Sequence, residues 1–235
     1  MIELHFVLEG QSEEVFVRNV LAPHLEKLGV YAKPTIVATS RARDGRKHRG
    51  GGDWEKWATD IRLRLRDRRP VVRVTTLFDL YGLPKNFPEL GALASLADTR
   101  ERCEKLEAAM GSTVGDARFI PYLQRHEFEA LVLAGLPALG ELLDQPADKR
   151  GFEKLQADIG ETEPEDVNDD VNTAPSKRLG RFIPSYDENR SPEGKDKPYF
   201  AEEVTVRTSL AVLREKCPRF SAWVQALEAL GEQKS

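Results

Sequence analysis

Acidic side chains follow three of the short apolar segments in this sequence, at positions where strands of a sheet would end. Glu9 follows the first segment, Asp79 the second, and Glu127 and Glu129 follow the third. In open α/β sheets, ligands bind beyond the carboxyl ends of the strands, and carboxylates that converge there repel each other unless a cation compensates. Carboxylate oxygens suit Mg²⁺ or Mn²⁺. The acidic residues at the three strand ends therefore predict a site for Mg²⁺ or Mn²⁺ at this edge of the sheet.

A purely structural role for the same residues is the alternative. Acidic residues are common at strand ends, and Glu129 also suits the first turn of a helix, where the helix dipole favours negative charge. Other site chemistries find no support: no Cys–His spacing indicates zinc, and Gly50–Gly52 lacks the Lys-Ser/Thr ending of a phosphate-binding loop. Two cysteines, Cys103 and Cys217, are too few for a disulfide framework and fit a reducing cytosol.

The charge of the chain is unevenly distributed along its 235 residues. Lys and Arg number 35 against 39 Asp and Glu, and the net charge of −4 taken alone argues against a polyanionic partner. The window 41–73, however, holds twelve Lys and Arg residues and five acidic ones, so its local charge is about +7 and the remainder carries about −11. Phosphate contacts supply most sequence-independent affinity for nucleic acid. We therefore expect Arg46, Lys47 and Arg49 to contact a nucleic-acid backbone, with a solvated helix face as the alternative.

Apolar segments rich in β-branched residues alternate with helical patterns in the first half of the chain. Strands are predicted at Ile2–Leu8, Val30–Thr39, Val71–Phe78 and Arg118–Leu123. Helices are predicted at 12–28 (interrupted by Pro23), Trp54–Arg66, Leu96–Met110 and His126–Ala134. This alternation favours an α/β fold with a mostly parallel sheet flanked by helices.

Beyond Gly135 the pattern changes to helices and loops. Helices are predicted at Leu136–Leu143, Phe152–Ile159, Ala201–Glu215 and Pro218–Leu230, with an acidic segment at 161–170 and a loop at 175–198. We expect residues 1–135 to form an α/β core and residues 136–235 a helical and loop extension packed on it. No apolar run approaches the roughly 20 residues of a membrane-spanning helix. The N-terminus does not resemble a secretory signal, so we expect a cytoplasmic protein without a membrane partner.

Several short motifs, taken in order, resemble a known family. The motifs are Leu8–Gly10 with Glu13, Phe78–Pro84, His126–Ala130, Pro175–Leu179, and Cys217–Phe220 with Trp223. The first two resemble acidic motifs of Toprim domains, and the set resembles a Toprim-like family of unknown function related to the overcoming-lysogenisation-defect (OLD) nucleases. The resemblance spans nearly the whole chain. It implies a Toprim-like, Rossmann-like fold with a C-terminal helical extension.

This resemblance also implies metal-dependent cleavage of phosphodiester bonds. It makes Glu9 a general acid–base or metal ligand and Asp79 a metal ligand, with Glu127 and Glu129 completing one or two sites for Mg²⁺ or Mn²⁺. Proteins of this kind often work beside an ATPase, for example in anti-phage defence, so a separately encoded ATPase is an expected partner.

A cation is also needed opposite the metal to stabilise the phosphate oxygens. Lys177 or Arg178 is the first candidate, Lys177 as a catalytic residue and Arg178 as a nucleic-acid contact. Lys195 and Lys197 are weaker candidates, and ordinary loop solubility is the alternative role for all of them.

One position departs from the Toprim pattern. Toprim enzymes typically carry Asp-x-Asp at the central strand, whereas Asp79 is followed here by Leu80 and Tyr81. Either Glu127 or Glu129 supplies the second carboxylate, or metal binding is weak or absent. The first case predicts a nuclease or phosphoesterase acting on nucleic acid, and the second a non-catalytic module that binds nucleic acid or a protein partner. A small-molecule phosphatase is a third interpretation.

Overall fold

The structure is a computed structural model, and it describes residues 1–37, 52–168, 172–186 and 197–232. The predicted nucleic-acid contacts Arg46, Lys47 and Arg49 lie outside the described residues. The chain forms two compact units: Met1–Arg125 with Gln225–Ser235, and His126–Val224. The predicted domain boundary after Gly135 stays a prediction.

The first unit is built on a parallel sheet. Its strands are β1 (Ile2–Leu8), β2 (Val30–Ile36), β3 (Val72–Asp79), β4 (Phe119–Ile120) and β5 (Leu123–Gln124). The order is β2-β1-β3-β4, and β5 also pairs with β3; all these pairings are parallel. The predicted mostly parallel α/β sheet is confirmed. Pro34, which has no N–H to donate, is tolerated because it lies in the edge strand β2.

Helices cover the sheet of the first unit. They are α1 (Gln11–Phe16), α2 (Ala22–Glu26), α3 (Trp54–Leu65) and α4 (Thr99–Val114). A π-helical turn, Val17–Leu21, joins α1 to α2, so the helix predicted over 12–28 is interrupted just before Pro23. Pro23 is accommodated because it lies in the first turn of α2, where its missing N–H is not required.

One face of the sheet packs against α3 and α4. A single buried cluster contains Val74 and Phe78 of β3 together with Trp57 and Ile61 of α3 and Leu106 of α4. Side chains alternate along a strand, so the residues between these positions face the opposite way. Two buried faces explain why β1 and β3 appear in the sequence as nearly continuous apolar segments.

The strand predicted at Arg118–Leu123 is broken into β4 and β5 at Pro121. Two threonine hydroxyls of β3 replace part of the interrupted ladder. Thr75 donates to the carbonyl oxygen of Ile120 at 2.8 Å, and Thr76 both donates to the Tyr122 carbonyl and accepts from the Tyr122 N–H, each at 2.9 Å. The Thr76 hydroxyl thus fixes both the N–H and the carbonyl group of Tyr122 to β3.

The second unit is helical. Its elements are α5 (Glu129–Ala134), α6 (Leu136–Leu142), α7 (Pro146–Ile159), α8 (Pro175–Phe182), α9 (Lys197–Arg207) and α10 (Leu210–Lys216). Helix α11 (Pro218–Glu232) begins in this unit, and its residues from Gln225 onward belong to the first. Cys103 and Cys217 are buried and form no disulfide. No helix within the described ranges is long and apolar enough to cross a membrane.

The loop predicted at 175–198 is wrong in its first part, where α8 forms. Pro175 starts this helix, and a proline is well tolerated in a first turn because its N–H is not needed there. Only Pro175 and Leu179 of the eight residues are buried. The basic residues and Gly180 therefore hid the helical pattern from the sequence.

One residue of the acidic segment 161–170 has a structural role. Glu165 is fully buried, and its carboxylate accepts the backbone N–H groups of Arg219 at 2.9 Å and Phe220 at 3.0 Å. These amides lie in the first turn of α11, which has no intrahelical acceptors for them. Glu165 thus caps the helix on which the C-terminal motif lies.

Arg118 joins three segments beside the amino end of β3. Its guanidinium donates to the carbonyl oxygens of Leu65 at 2.6 Å and Asp67 at 2.5 Å, and to the Asp116 carboxylate at 2.8 Å. The bond from Arg118 holds the pKa of Asp116 at about 2, below its usual 3.8. A lowered pKa means that the pair stabilises the fold fully above about pH 4 and loses this contribution as the pH falls towards about 2.

The substitution Arg118→Met should lower the free energy of unfolding by about 2 kcal/mol near neutral pH, because three oxygen acceptors lose a charged donor. Urea unfolding at a series of pH values measures the effect. The difference from the parent should shrink as the pH falls from about 4 to about 2, since protonation of Asp116 removes the ion pair there. The control is Arg66→Met at an exposed position, which should change stability by less than about 0.5 kcal/mol. A difference independent of pH would contradict the assignment to Asp116.

Candidate functional site

Glu9 and Asp79 lie at the carboxyl ends of two adjacent parallel strands. Leu8 of β1 is in register with Leu77 of β3, so Glu9 directly follows β1 and Asp79 is the last residue of β3. Both side chains are half-buried. The hydrophobic patterns of the two strands therefore bring these two acids to the sheet edge at which ligands bind in open α/β folds.

The Glu9 carboxylate is held by the backbone of β3. The N–H of Asp79 donates to Glu9 Oε1 at 2.8 Å. Gly82 also touches this carboxylate so closely that a Cβ on residue 82 would lie 2.5 Å from Oε2 and 3.0 Å from Oε1. The orientation of Glu9 thus depends on a backbone bond from residue 79 and on glycine at residue 82.

The residues after Asp79 form a short 3₁₀ turn, Leu80–Gly82. Leu80 is buried in the core cluster between the sheet and α3, and Tyr81 packs against the same cluster. The residue two positions after Asp79 is therefore an aromatic side chain that packs partly against apolar residues. The turn also brings Gly82 back to Glu9.

Glu13, which belongs to the first motif singled out in the sequence, is a further carboxylate close to Gly10. It lies on α1 and is 7% exposed, and its Oε2 is 3.1 Å from where a Cβ on Gly10 would be. Glu9 thus precedes Gly10 in the chain, and the Glu13 carboxylate lies close to the same glycine. Glu9 directly follows β1, whereas Glu13 lies in the first turn of α1, which begins at Gln11 after an extended Gly10.

The other two predicted ligands lie in the second unit. Glu127 accepts the backbone N–H of Ser176 at 2.9 Å, in the first turn of α8. Glu129, only 1% exposed, has its Oε1 at 2.5 Å from Lys197 Nζ and at 3.1 Å from the Tyr186 hydroxyl, which donates to it. Both carboxylates therefore already have protein partners, which the sequence did not reveal because these partners are 49 to 68 positions away along the chain.

The two predicted phosphate-binding cations have different surroundings. Lys177 is exposed on α8, one residue after the amide that binds Glu127. Arg178 is largely buried; it pairs with Asp158 of α7, and its Nε donates to the Thr173 carbonyl at 3.0 Å. Lys177 is thus the one of the two whose side chain is exposed to solvent.

The C-terminal part of the basic window lies away from Glu9 and Asp79. Its arginines from residue 66 to residue 73 are at the amino end of β3, and Asp79 is at the other end of this eight-residue strand. At about 3.3 Å per residue the strand spans roughly 25 Å. Several of these side chains also bind within the fold: Arg69 binds Asp67 and Glu3, and Arg73 binds the Pro70 carbonyl.

Metal-ligating side chains do not form a dense cluster in the described parts of the chain. Within them, no group of three or more His, Cys, Asp and Glu residues has an arrangement that could hold a metal ion. Glu9 and Asp79 belong to one compact unit, and Glu127 and Glu129 to the other. Within the first unit, the two predicted ligands that the structure brings to one sheet edge are therefore Glu9 and Asp79.

Gly82→Ala tests the packing around Glu9. The new Cβ should displace the flexible carboxylate and break its bond to Asp79, so hydrogen exchange of the Asp79 amide should become about five to ten times faster, with a stability loss of about 1 kcal/mol. NMR-detected exchange and urea unfolding measure the two quantities. Gly91→Ala is the matched control, because a Cβ there has nothing within 4 Å. Unchanged protection of the Asp79 amide in Gly82→Ala would contradict this geometry.

A double-mutant cycle on Glu129→Gln and Lys197→Met should give a coupling energy of about 1–2 kcal/mol, because one carboxylate of the pair is almost fully buried. Urea unfolding of the parent, the single variants and the double variant measures this energy. The exposed pair Glu203–Arg207 on α9 is the control and should give only about 0.3–0.5 kcal/mol. Equal coupling in the two pairs would argue against a specific role for the Glu129 contact.

Comparison with known proteins gives a family and a structural likeness. Two solved structures of the C-terminal region of the OLD protein from Xanthomonas campestris pv. campestris match the chain: one has 15% identity, a TM-score of 0.43 and coverage of 98% of this chain and 95% of that one. The other has 13% identity, a TM-score of 0.41 and coverage of 98% and 94%. No curated protein sequence matches the chain. The model of the family described as "Domain of unknown function (DUF4276)" matches residues 8–228, and the chain therefore belongs to this family.

Proposed function

We propose that this protein is a nuclease or phosphoesterase that acts on nucleic acid and depends on Mg²⁺ or Mn²⁺. The observation that carries the proposal is the Glu9 carboxylate, held by the Asp79 N–H at the carboxyl edge of a parallel sheet, next to a second acidic residue. The resemblance of the surrounding motifs to Toprim domains supports the same chemistry.

The donor set of the first unit is compatible with Mg²⁺. This ion retains several waters and is usually bound through one or two carboxylates together with substrate phosphates, so Glu9 and Asp79 are sufficient protein ligands. A bound ion would neutralise charge on a phosphodiester and lower the pKa of a water ligand. Glu127 and Glu129 remain predicted ligands.

The chain's own residues have distinct tasks in this proposal. The Asp79 N–H fixes Glu9 Oε1, so the carboxylate keeps one orientation as a metal ligand or proton acceptor. Lys177, exposed on α8, is the proposed catalytic cation for phosphate oxygens. Arg178 is proposed to contact nucleic acid only at its exposed edge, because it is paired with Asp158.

The partners of the protein are part of the same proposal. Arg46, Lys47 and Arg49 would bind the nucleic-acid backbone through their positive charge. A separately encoded ATPase as partner, and a role in anti-phage defence, follow from the Toprim-like and OLD-like sequence motifs alone.

A non-catalytic binding module is the second candidate function. It is favoured by Tyr81, which packs against the apolar cluster at the position where a second aspartate is typical of Toprim enzymes. In this case Glu9 would be a structural cap on the Asp79 amide, and nucleic acid would bind without being cleaved.

Cleavage assays separate the two candidates. The purified protein is incubated with supercoiled plasmid, linear DNA and RNA in the presence of Mg²⁺, Mn²⁺ or EDTA. We expect metal-dependent cleavage that is abolished by EDTA and lowered about a hundredfold or more in Glu9→Gln and Asp79→Asn, because each variant removes a charged ligand.

Glu153→Gln, at an exposed position on α7, is the charge-matched control and should cleave like the parent. Cleavage that persists in EDTA or in both site variants would overturn the metal-dependent mechanism. Salt-sensitive binding without cleavage, with and without an added ATPase partner, would favour the binding module.

A further inference from the structure

Gln124, the last residue of β5, is a fully buried amide with an unused donor. Its Oε1 accepts the hydroxyl of Tyr122 at 2.9 Å. Its Nε2 is buried and has no hydrogen-bond acceptor among the residues that the structure describes. Leaving a buried donor without an acceptor costs about 1–3 kcal/mol, so such a group in a folded protein requires an explanation.

The pairing of β3 with β5 places this amide beside Asp79. Asp79 and Gln124 are in register across the two parallel strands. Residues in register in a sheet direct their side chains to the same face, about 5 Å apart at the backbone. Gln124 is therefore a lateral neighbour of the proposed metal ligand at the carboxyl edge of the sheet.

The orientation of Gln124 is fixed by a chain of buried bonds. Thr76 holds both the N–H and the carbonyl of Tyr122, and the Tyr122 hydroxyl holds the Gln124 amide oxygen. Thr76 and Gln124 are fully buried, and Tyr122 is 3% exposed. The amide is thus anchored through its oxygen, which leaves its N–H donors for an acceptor other than Tyr122.

We propose that Gln124 is a positioning residue for Asp79, donating an Nε2 hydrogen bond to the Asp79 carboxylate when the site holds its metal and phosphate ligand. This inference rests on the proposed function. Carboxylates that bind metals are typically held by further hydrogen bonds, and losing such a partner weakens metal binding or activity about 10- to 100-fold. Gln124 would act through Asp79 without contacting the substrate.

The test compares the parent with Gln124→Glu, which keeps an acceptor for Tyr122 and replaces the donor, and with Gln124→Met, which is apolar and of similar size. Calorimetric titration with Mn²⁺ should give dissociation constants about 10- to 100-fold higher in both variants. Cleavage should recover towards the parent rate at saturating Mn²⁺, because the catalytic groups remain. A merely structural role would lower the unfolding temperature without changing the Mn²⁺ dissociation constant.

Two further variants complete the experiment. Tyr122→Phe removes the anchor of the amide and should weaken Mn²⁺ binding in the same direction, whereas Gln156→Glu at an exposed position on α7 should bind Mn²⁺ like the parent. Parent-like Mn²⁺ binding in both Gln124 variants would overturn the role of Gln124 and leave the proposed function intact. A parent protein that neither binds Mn²⁺ nor cleaves nucleic acid would overturn both.

Discussion

One hydrogen bond, donated by the Asp79 backbone N–H to the Glu9 carboxylate, connects several features of the first unit. It joins the ends of β1 and β3, and so it depends on their parallel register. The 3₁₀ turn after β3 must then bring residue 82 against the same carboxylate, which only glycine allows without displacing it. The position of the Glu9 carboxylate therefore depends on the strand pairing, on the geometry of the turn and on glycine at residue 82.

The sequence predicted the first unit better than the second for a physical reason. Strands β1 and β3 are buried on both faces, so their continuous apolar character is visible locally, and the acids after them follow by position. The partners of Glu127 and Glu129, in contrast, come from distant segments. The same holds for the buried amide of Gln124, whose significance arises from register and from the tyrosine two residues earlier. Helix α8 was missed because it buries only two side chains.

The charged and polar contacts of the first unit differ between the two ends of β3. Near the amino end of β3, Arg69 and Arg118 pair with Asp67 and Asp116 and hold the pKa of each of these two carboxyls at about 2. At the carboxyl end, the Asp79 backbone N–H donates to the Glu9 carboxylate. Arginines such as Arg73 and Arg118 donate to backbone carbonyls within the fold. The net charge of the chain, or of the window 41–73, is therefore a poor measure of the positive charge available to a ligand.

Both edges of the sheet contain a proline, and this affects the tendency of the protein to aggregate at high concentration. Pro34 lies in β2 at one boundary, and Pro121 separates β4 from β5 at the other. Proline has no N–H to donate to a neighbouring strand. An approaching strand from another molecule would therefore find an interrupted row of donors on either side. Such interruptions disfavour edge-to-edge aggregation of β-sheets.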